Sequence, residues 1–159
     1  MGRLAGLRPT IQPLGRWQRQ PPFPWYDRPV VEMASGTFQI SMVPGPAEVG
    51  GIVDRFDFSK TFEGDLEATG SGLMLSSGDP ASGAAGYVAI ESVEGRIGHR
   101  SGGFCLHQLG MMRGRSPTLH YEIVPGSGRG EFRGISGTFH LTVDADGTHR
   151  YTLEYELPG

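Results

Sequence analysis

The sequence predicts an all-β fold and, within that class, a single antiparallel β-barrel of about eight strands. Two observations carry this prediction. Every periodic segment after residue 33 alternates apolar and polar residues with a period of two, and no segment has a helical period. Turn-forming residues separate the segments at short, regular spacing, and glycine accounts for 26 of the 159 residues, which suits tight turns and curved strands. Closing such strands into a barrel removes edges that would otherwise be exposed.

The first 32 residues differ in composition from everything that follows. They hold half of the twelve prolines, both tryptophans, and arginines in excess of carboxylates. No apolar stretch follows the basic start, as a secretory signal would require. We therefore expect residues 1–32 to be a disordered or mis-assigned extension, and residues 33–159 to form the β-barrel domain.

The charge of the predicted barrel domain narrows the classes of partner. The chain has a formal net charge of −3; five arginines and two carboxylates give residues 1–32 a charge of +3, which leaves −6 for residues 33–159. A domain this acidic lacks the basic surface that nucleic acids and anionic membranes require, so neither is an expected partner. The single cysteine, Cys105, excludes an intrachain disulfide and suits a cytoplasmic location.

The strands are predicted from alternation between turn signals. In the second strand, Phe56, Phe58 and Phe62 share one face, while Asp57 and Ser59 share the other. The last strand is expected to close the barrel against the first. The eight predicted strands span residues 35–43, 52–62, 66–75, 87–93, 104–112, 118–124, 138–143 and 150–157.

Two of the predicted connections matter later. The small residues of 76–86 predict a loop. Residues 124–137 contain five glycines, and Gly126, Gly128 and Gly130 allow positive φ at alternate positions, so this segment is expected to be a corner between strands. A phosphate-binding loop is not indicated, because no helix and no Lys-Ser or Lys-Thr pair follows the glycines.

Four motifs occur in a recognisable order. They are Phe-Glu-Gly-Asp-Leu-Glu at residues 62–67, an aromatic strand with a central Glu91 at 87–95, Arg-Ser-Gly-Gly-Phe at 100–104, and the glycine segment at 124–134. Together they resemble a bacterial family known as domain of unknown function 3224, over residues 35–157. The members of that family look like allene-oxide-cyclase-type β-barrels, so the resemblance implies a barrel fold but no reaction.

One departure from that family bears on the chemistry. After the aromatic residue of the third motif the family usually has a Gln-His pair, whereas this chain has His107-Gln108. A shift of one position moves a strand residue to the opposite face. We therefore expect Gln108 to point into the barrel and His107 to point out, which removes the support for proton transfer by a histidine in the lumen.

The candidate site is the set of polar and aromatic residues that alternation places on one lumen. Glu91 is the candidate catalytic residue, because a carboxylate in an apolar lumen can serve as a general acid or base. The alternatives for Glu91 are a pair with an arginine or an exposed position. An apolar lumen with a few polar groups is the usual composition of a small-molecule site. The predicted ligand-binding residues are Tyr87, Phe104, Leu106, Gln108 and Tyr121.

Neither a cofactor nor a metal is expected. The five histidines do not occur in His-x-His or Glu-x-x-His spacing, which metal sites on one element commonly use. Cys105 lies in an apolar run without a neighbouring basic residue, so a buried, inert thiol is expected.

Three functions remain open from the sequence. The first is binding of one small apolar or aromatic metabolite in the lumen, and the second is a cofactor-free isomerase or cyclase that uses a buried carboxylate. The third is a structural protein without a ligand that associates with itself, and homo-oligomers are possible partners. The first two predict space in the lumen, whereas the third predicts a filled one.

Overall fold

The structure is a computed structural model that describes residues 30–46, 51–114 and 116–158. Most of the predicted extension, residues 1–29, lies outside the described residues. Glu32, the last residue of that predicted extension, is the first residue of a strand. Its carboxylate accepts hydrogen bonds from Arg100 at 2.9 Å and from the Tyr155 hydroxyl at 2.9 Å, so it belongs to the folded domain.

The described residues form an all-β fold, which confirms the predicted class. The only helical element among them is one 3-10 turn at Pro80–Ser82. No helix in this part of the chain is long and apolar enough to cross a membrane. The strands are β1 (Glu32–Pro44), β2 (Asp54–Gly64), β3 (Leu66–Asp79), β4 (Ala84–Ile97), β5 (Arg100–Arg113), β6 (Ser116–Ile123), β7 (Arg129–Gly130), β8 (Ser136–Val143) and β9 (His149–Glu156).

Eight of these strands close into an antiparallel barrel, as predicted. Strands β1 to β5 each pair with the strand that follows them in the chain. Strand β6 then pairs with β8, β8 with β9, and β9 with β1. The two-residue strand β7 lies outside this ring and pairs only with the start of β5. Closure by β9 against β1 removes the edges that both strands would otherwise leave open.

The prediction of a loop over residues 76–86 is wrong. Strand β3 continues to Asp79 and β4 begins at Ala84, so the two form one long hairpin closed by the turn at residues 80–83. Small polar residues are typical of loops, but they also suit the solvent-exposed tip of a hairpin. The Asp79 carboxylate caps the turn by accepting the Ala81 N–H at 2.9 Å, which satisfies a backbone donor that has no strand partner there.

The glycine-rich segment between β6 and β8 does more than turn a corner. It carries β7 along the start of β5, beyond the point where the shorter β6 has ended. Gly126 and Gly130 have φ of 77° and 63°, which glycine adopts without strain. Gly128 does not have positive φ; a Cβ there would overlap the Phe132 carbonyl oxygen, so close approach of the backbone is what requires that glycine.

This segment plugs one end of the barrel. Phe132 and Ile135 are 0% and 1% exposed and belong to the hydrophobic core. The Phe132 ring packs edge-on against Phe104, with centroids 5.6 Å apart. The core therefore fills the lumen at this end, which we call the closed end.

Candidate functional site

All six predicted site residues face the lumen, since each is paired across the sheet with other inward residues. They divide between two levels. Phe104 and Leu106 are 1% and 0% exposed and pack within the core of the closed end. Tyr87, Glu91, Gln108 and Tyr121 lie farther along the strands, toward the other end. The functional roles of all six stay predictions.

At the centre of this second level lies a buried ion pair that includes a residue outside the predicted set. The Lys60 ammonium donates to Glu91 Oε2 at 2.7 Å and to the Tyr121 hydroxyl oxygen at 2.8 Å. The Tyr121 hydroxyl in turn donates to the same Oε2 at 2.9 Å. Lys60 and Glu91 are only 4% and 1% exposed. Three strands, β2, β4 and β6, thus meet through one polar network.

The Lys60 ammonium is also surrounded by aromatic rings. It lies 4.8 Å from the ring centre of Phe38, 5.1 Å from that of Phe58 and 5.2 Å from that of Tyr121. These distances allow cation–π attraction, which partly replaces lost hydration. Burial nevertheless lowers the pKa of Lys60 below its usual value, against the opposing effect of Glu91. Burial raises the pKa of Tyr121 well above its usual value, and the Glu91 charge adds to that rise.

One oxygen of Glu91 stays without a partner. Both donors of the network converge on Oε2, and Oε1 is the single fully buried side-chain N or O atom of the described residues that has no hydrogen bond. It lies directly over Gly70, where an added Cβ would overlap it. Gly70 therefore makes the space that this carboxylate occupies. An unpaired buried acceptor costs stability, so a donor from a ligand or from water would be favourable there.

Tyr87 and Gln108 form a second polar pair, next to Ala89 on the inner face. The Tyr87 hydroxyl donates to the Gln108 side-chain oxygen at 3.2 Å. Burial raises the pKa of Tyr87, which keeps this hydroxyl protonated. The Tyr87 ring lies over Gly110, where a Cβ would overlap it. The space that Gly110 leaves on the inner face is thus filled by Tyr87, while Ala89, paired with Gln108, has only a small side chain.

Apolar side chains ring the end of the barrel beyond these pairs, which we call the open end. Ile40 pairs with Lys60, Met42 with Phe58, and Leu119 with Gly110. Directly paired residues share a face, so these three side chains point inward. They are nonetheless 37%, 40% and 38% exposed. Solvent therefore reaches the inner face here, unlike at the closed end.

Lys60 is not among the predicted site residues, although the alternation of β2 indicates an inward position for it. Lys60 has the same parity as Phe58 and Phe62, and alternation alone places it inside. An inward lysine requires a buried acidic partner, and Glu91 is the carboxylate predicted to face the lumen. The partner of Glu91 is thus a lysine from β2, and not the arginine considered as an alternative.

The expected orientations of Gln108 and His107 are confirmed. Gln108 faces the lumen, whereas His107 is exposed on the outer wall, with its Nε2 atom 3.8 Å from Glu122 Oε2. Cys105, expected to be buried, instead lies on the outer wall and is only half-buried, because it has the outward parity of His107. Its backbone N–H donates to the Ser127 hydroxyl at 2.9 Å, which attaches the glycine-rich segment to β5.

A metal site and a groove on the outer wall are the remaining candidate sites to consider among the described residues. No group of three or more His, Cys, Asp or Glu among them is placed to hold a metal ion. A shallow groove of about 540 Å³ crosses the outer wall of β2 to β5 and is lined by outward residues such as Asp57, Ser71 and Ile90. Phe58, Gly72 and Glu91 also form part of its lining. Polar side chains do not converge in this groove as they do in the lumen.

Comparison with known proteins adds a family and a fold. The family model described as "Protein of unknown function (DUF3224)" matches residues 34–155. A crystal structure of a protein of unknown function from that family, from Shewanella oneidensis MR-1, is 38% identical, with a TM-score of 0.74. The match covers 82% of this chain and 100% of the other. None of the curated proteins compared with the chain matches it. The likeness to allene oxide cyclases stays a prediction.

Proposed function

The chain belongs to the DUF3224 family, and we propose that its barrel binds one small apolar or aromatic molecule at the open end. One observation carries the proposal. Ile40, Met42 and Leu119 point into the barrel but remain exposed to solvent, above a level of buried polar groups. Burying such surface against an apolar ligand is favourable by about 25 cal/mol per Å² of apolar area.

The chemistry of the open end fits a neutral ligand. The positive charge of Lys60 is balanced by Glu91 at 2.7 Å, so this level offers no net charge to an ion. Apolar walls with a few placed polar groups are the usual composition of small-molecule sites. The wall is supplied by Ile40, Met42 and Leu119, and the polar groups are those of Gln108 and Tyr87.

The test enlarges the side chain that lies beside Gln108. Ala89 faces the lumen and is 8% exposed, so Ala89→Leu places three more carbons between the open end and the polar level. We expect this variant to lose binding of the uncharged fluorescent probe N-phenyl-1-naphthylamine, with its fold intact by circular dichroism. The matched control is Ala84→Leu, the same change at an exposed, outward position of β4, which should bind the probe as the wild type does. Wild-type binding by Ala89→Leu would refute the proposal.

A second candidate function is a cofactor-free isomerase or cyclase in which Glu91 transfers a proton. The unpartnered Oε1 supports it, because a general base needs a free lone pair within reach of the substrate. Its other oxygen is held by Lys60 and Tyr121, which would fix its orientation. Under this proposal Glu91→Gln abolishes turnover and leaves ligand binding within a few-fold; equal turnover by the variant would exclude the role.

A further inference from the structure

We propose that the bound molecule carries a neutral hydrogen-bond acceptor, such as the carbonyl oxygen of an apolar or aromatic ketone, and that the side-chain N–H groups of Gln108 donate to it. This inference rests on the proposed function, because it assumes a ligand at the open end. It adds the chemical class of that ligand and the residue that selects it.

The Gln108 amide uses its oxygen, but not its nitrogen, in a hydrogen bond to the described part of the protein. Its oxygen is occupied, since the Tyr87 hydroxyl donates to it at 3.2 Å. Its nitrogen donates to no protein group among the described residues. The residue is 9% exposed, yet this nitrogen is not one of the fully buried polar atoms without a partner, a description that applies to Glu91 Oε1 alone. The nitrogen therefore retains contact with solvent.

The Gln108 nitrogen is reached from the open end of the barrel. Gln108 pairs with Ala89 on β4 and with Tyr121 on β6, and its side chain lies on the lumen side of both. The closed end beneath is filled by the packed core. Solvent therefore reaches the amide nitrogen from the open end, where the exposed side chains of Met42 and Leu119 also face inward.

A ligand that covers the open end removes water from the Gln108 N–H groups. A pure hydrocarbon would displace water from both N–H groups and leave them unpaired, which is costly in an apolar site. A ligand with an acceptor keeps one of these hydrogen bonds. A site built to hydrogen-bond one ligand group discriminates strongly against an isostere that lacks it. Gln108 should therefore select an acceptor.

The charges around Gln108 favour an acceptor that is neutral. Lys60 is already paired with Glu91 at 2.7 Å, so no unbalanced positive charge is available to a carboxylate. The Glu91 carboxylate would also repel an anion brought close to it. A carbonyl or ether oxygen is neutral and accepts from an amide N–H without these costs.

The experiment uses two probes of the same shape. Acetophenone and α-methylstyrene differ only in a carbonyl oxygen replaced by a methylene group. The measured quantity is the ratio of their dissociation constants, obtained by displacement of the uncharged dye N-phenyl-1-naphthylamine from the full-length chain. We compare this ratio between wild type and Gln108→Met, which keeps the length of the side chain and removes its N–H groups.

The expected result is that the preference for acetophenone falls by about tenfold in Gln108→Met, a change equivalent to about 1.4 kcal/mol. Gln39→Met makes the same change at an exposed, outward position of β1 and should leave the ratio unaltered. Gln108→Leu also removes the N–H donors and gives the same answer if the Met variant does not fold.

Two outcomes would overturn the inference, and they are distinguishable. If both probes bind and the ratio is the same in wild type and the Gln108 variants, the ligand class is wrong while the proposed function stands. If neither probe binds the wild-type chain, or if binding survives Ala89→Leu unchanged, the proposed function fails and the inference fails with it.

Discussion

The two ends of the barrel are formed by the same strands but differ in what covers their inner faces. At the closed end, the glycine-rich segment places Phe132 and Ile135 in the lumen, where they are 0% and 1% exposed. At the open end, Ile40 and Met42 also point inward but remain 37% and 40% exposed. Leu119 on β6 is 38% exposed at the same end.

This difference separates the residues that stabilise the fold from those that are free to contact a ligand. Packing at the closed end is complete, because Phe104, Phe132 and Ile135 contact one another or their neighbours with almost no accessible surface. Between the two ends lies the Lys60–Glu91–Tyr121 network. That level is charged and almost completely buried, so it forms the floor of the open end.

The largest expected effect comes from emptying the closed end. Phe132→Ala should lower the free energy of unfolding by about 4 kcal/mol, because it removes a fully buried aromatic ring and leaves a cavity. Ile40→Ala, at the open end, should lower it by less than about 1 kcal/mol, since that side chain is partly exposed already. Urea denaturation measures both. Equal losses at the two positions would contradict the distinction between the ends.

The next largest effect comes from breaking the ion pair between the ends. Lys60→Met leaves the Glu91 carboxylate buried with Tyr121 as its only donor, and should lower the free energy of unfolding by about 3 kcal/mol. Adding Glu91→Leu removes the uncompensated charge and should recover most of that loss. The recovery is the diagnostic result of the double-mutant cycle. Losses that simply add would show that Lys60 and Glu91 do not interact as described.

Much of this arrangement could be predicted from sequence because alternation has only two phases. Once Phe58 faces the core, Phe62 does also, and the same rule placed Glu91, Gln108 and Tyr121 on the inner face. The outward position of His107 follows from the same rule. Lys60 has the same parity and could have been identified in this way, but its charge makes an inward position unexpected until its partner is considered.

The asymmetry of the ends could not be predicted in this way. It depends on the path of residues 124–135, which have no period and whose glycines permit many conformations. Phe132 and Ile135 lie in the irregular segment just before β8, outside any alternating run, so no pattern indicates that they enter the lumen. The length of the β3–β4 hairpin was missed for a similar reason, since small polar residues suit both loops and exposed strand ends.

A smaller effect should appear at alkaline pH. Burial raises the pKa of Tyr121 well above its usual value and that of Tyr155 to a lesser degree. A folded-state pKa above that of the unfolded chain stabilises the fold below about pH 10 and loses this contribution as the pH rises further. The lowered pKa of Lys60 acts in the opposite direction, but only below the ordinary lysine pKa of about 10.4.

The Tyr121 contribution can be isolated by substitution. Between about pH 10.5 and pH 11.5, Tyr121→Phe should lose less stability than the wild type, because it has no hydroxyl to ionise on unfolding. Tyr155→Phe should show a smaller protection. Urea midpoints at the two pH values give the comparison. The same pH-dependent loss in Tyr121→Phe and wild type would show that the Tyr121 hydroxyl is not buried as described.

The methionines allow the most direct test of a ligand at the open end. Strand pairing places Met42, Met74 and Met112 on the inner face near that end, opposite Phe58, Ala89 and Ala85. Met33 and Met111 lie on the outer wall and are 65% and 38% exposed. Nuclear magnetic resonance of isotope-labelled methionine methyl groups, assigned by Met→Leu substitutions, reports on both sets in one titration with acetophenone. We expect saturable chemical-shift changes in the methyl signals of Met42, Met74 and Met112, and no change in those of Met33 and Met111. Shifts confined to Met33 and Met111, or no saturable shift at the open end, would contradict it.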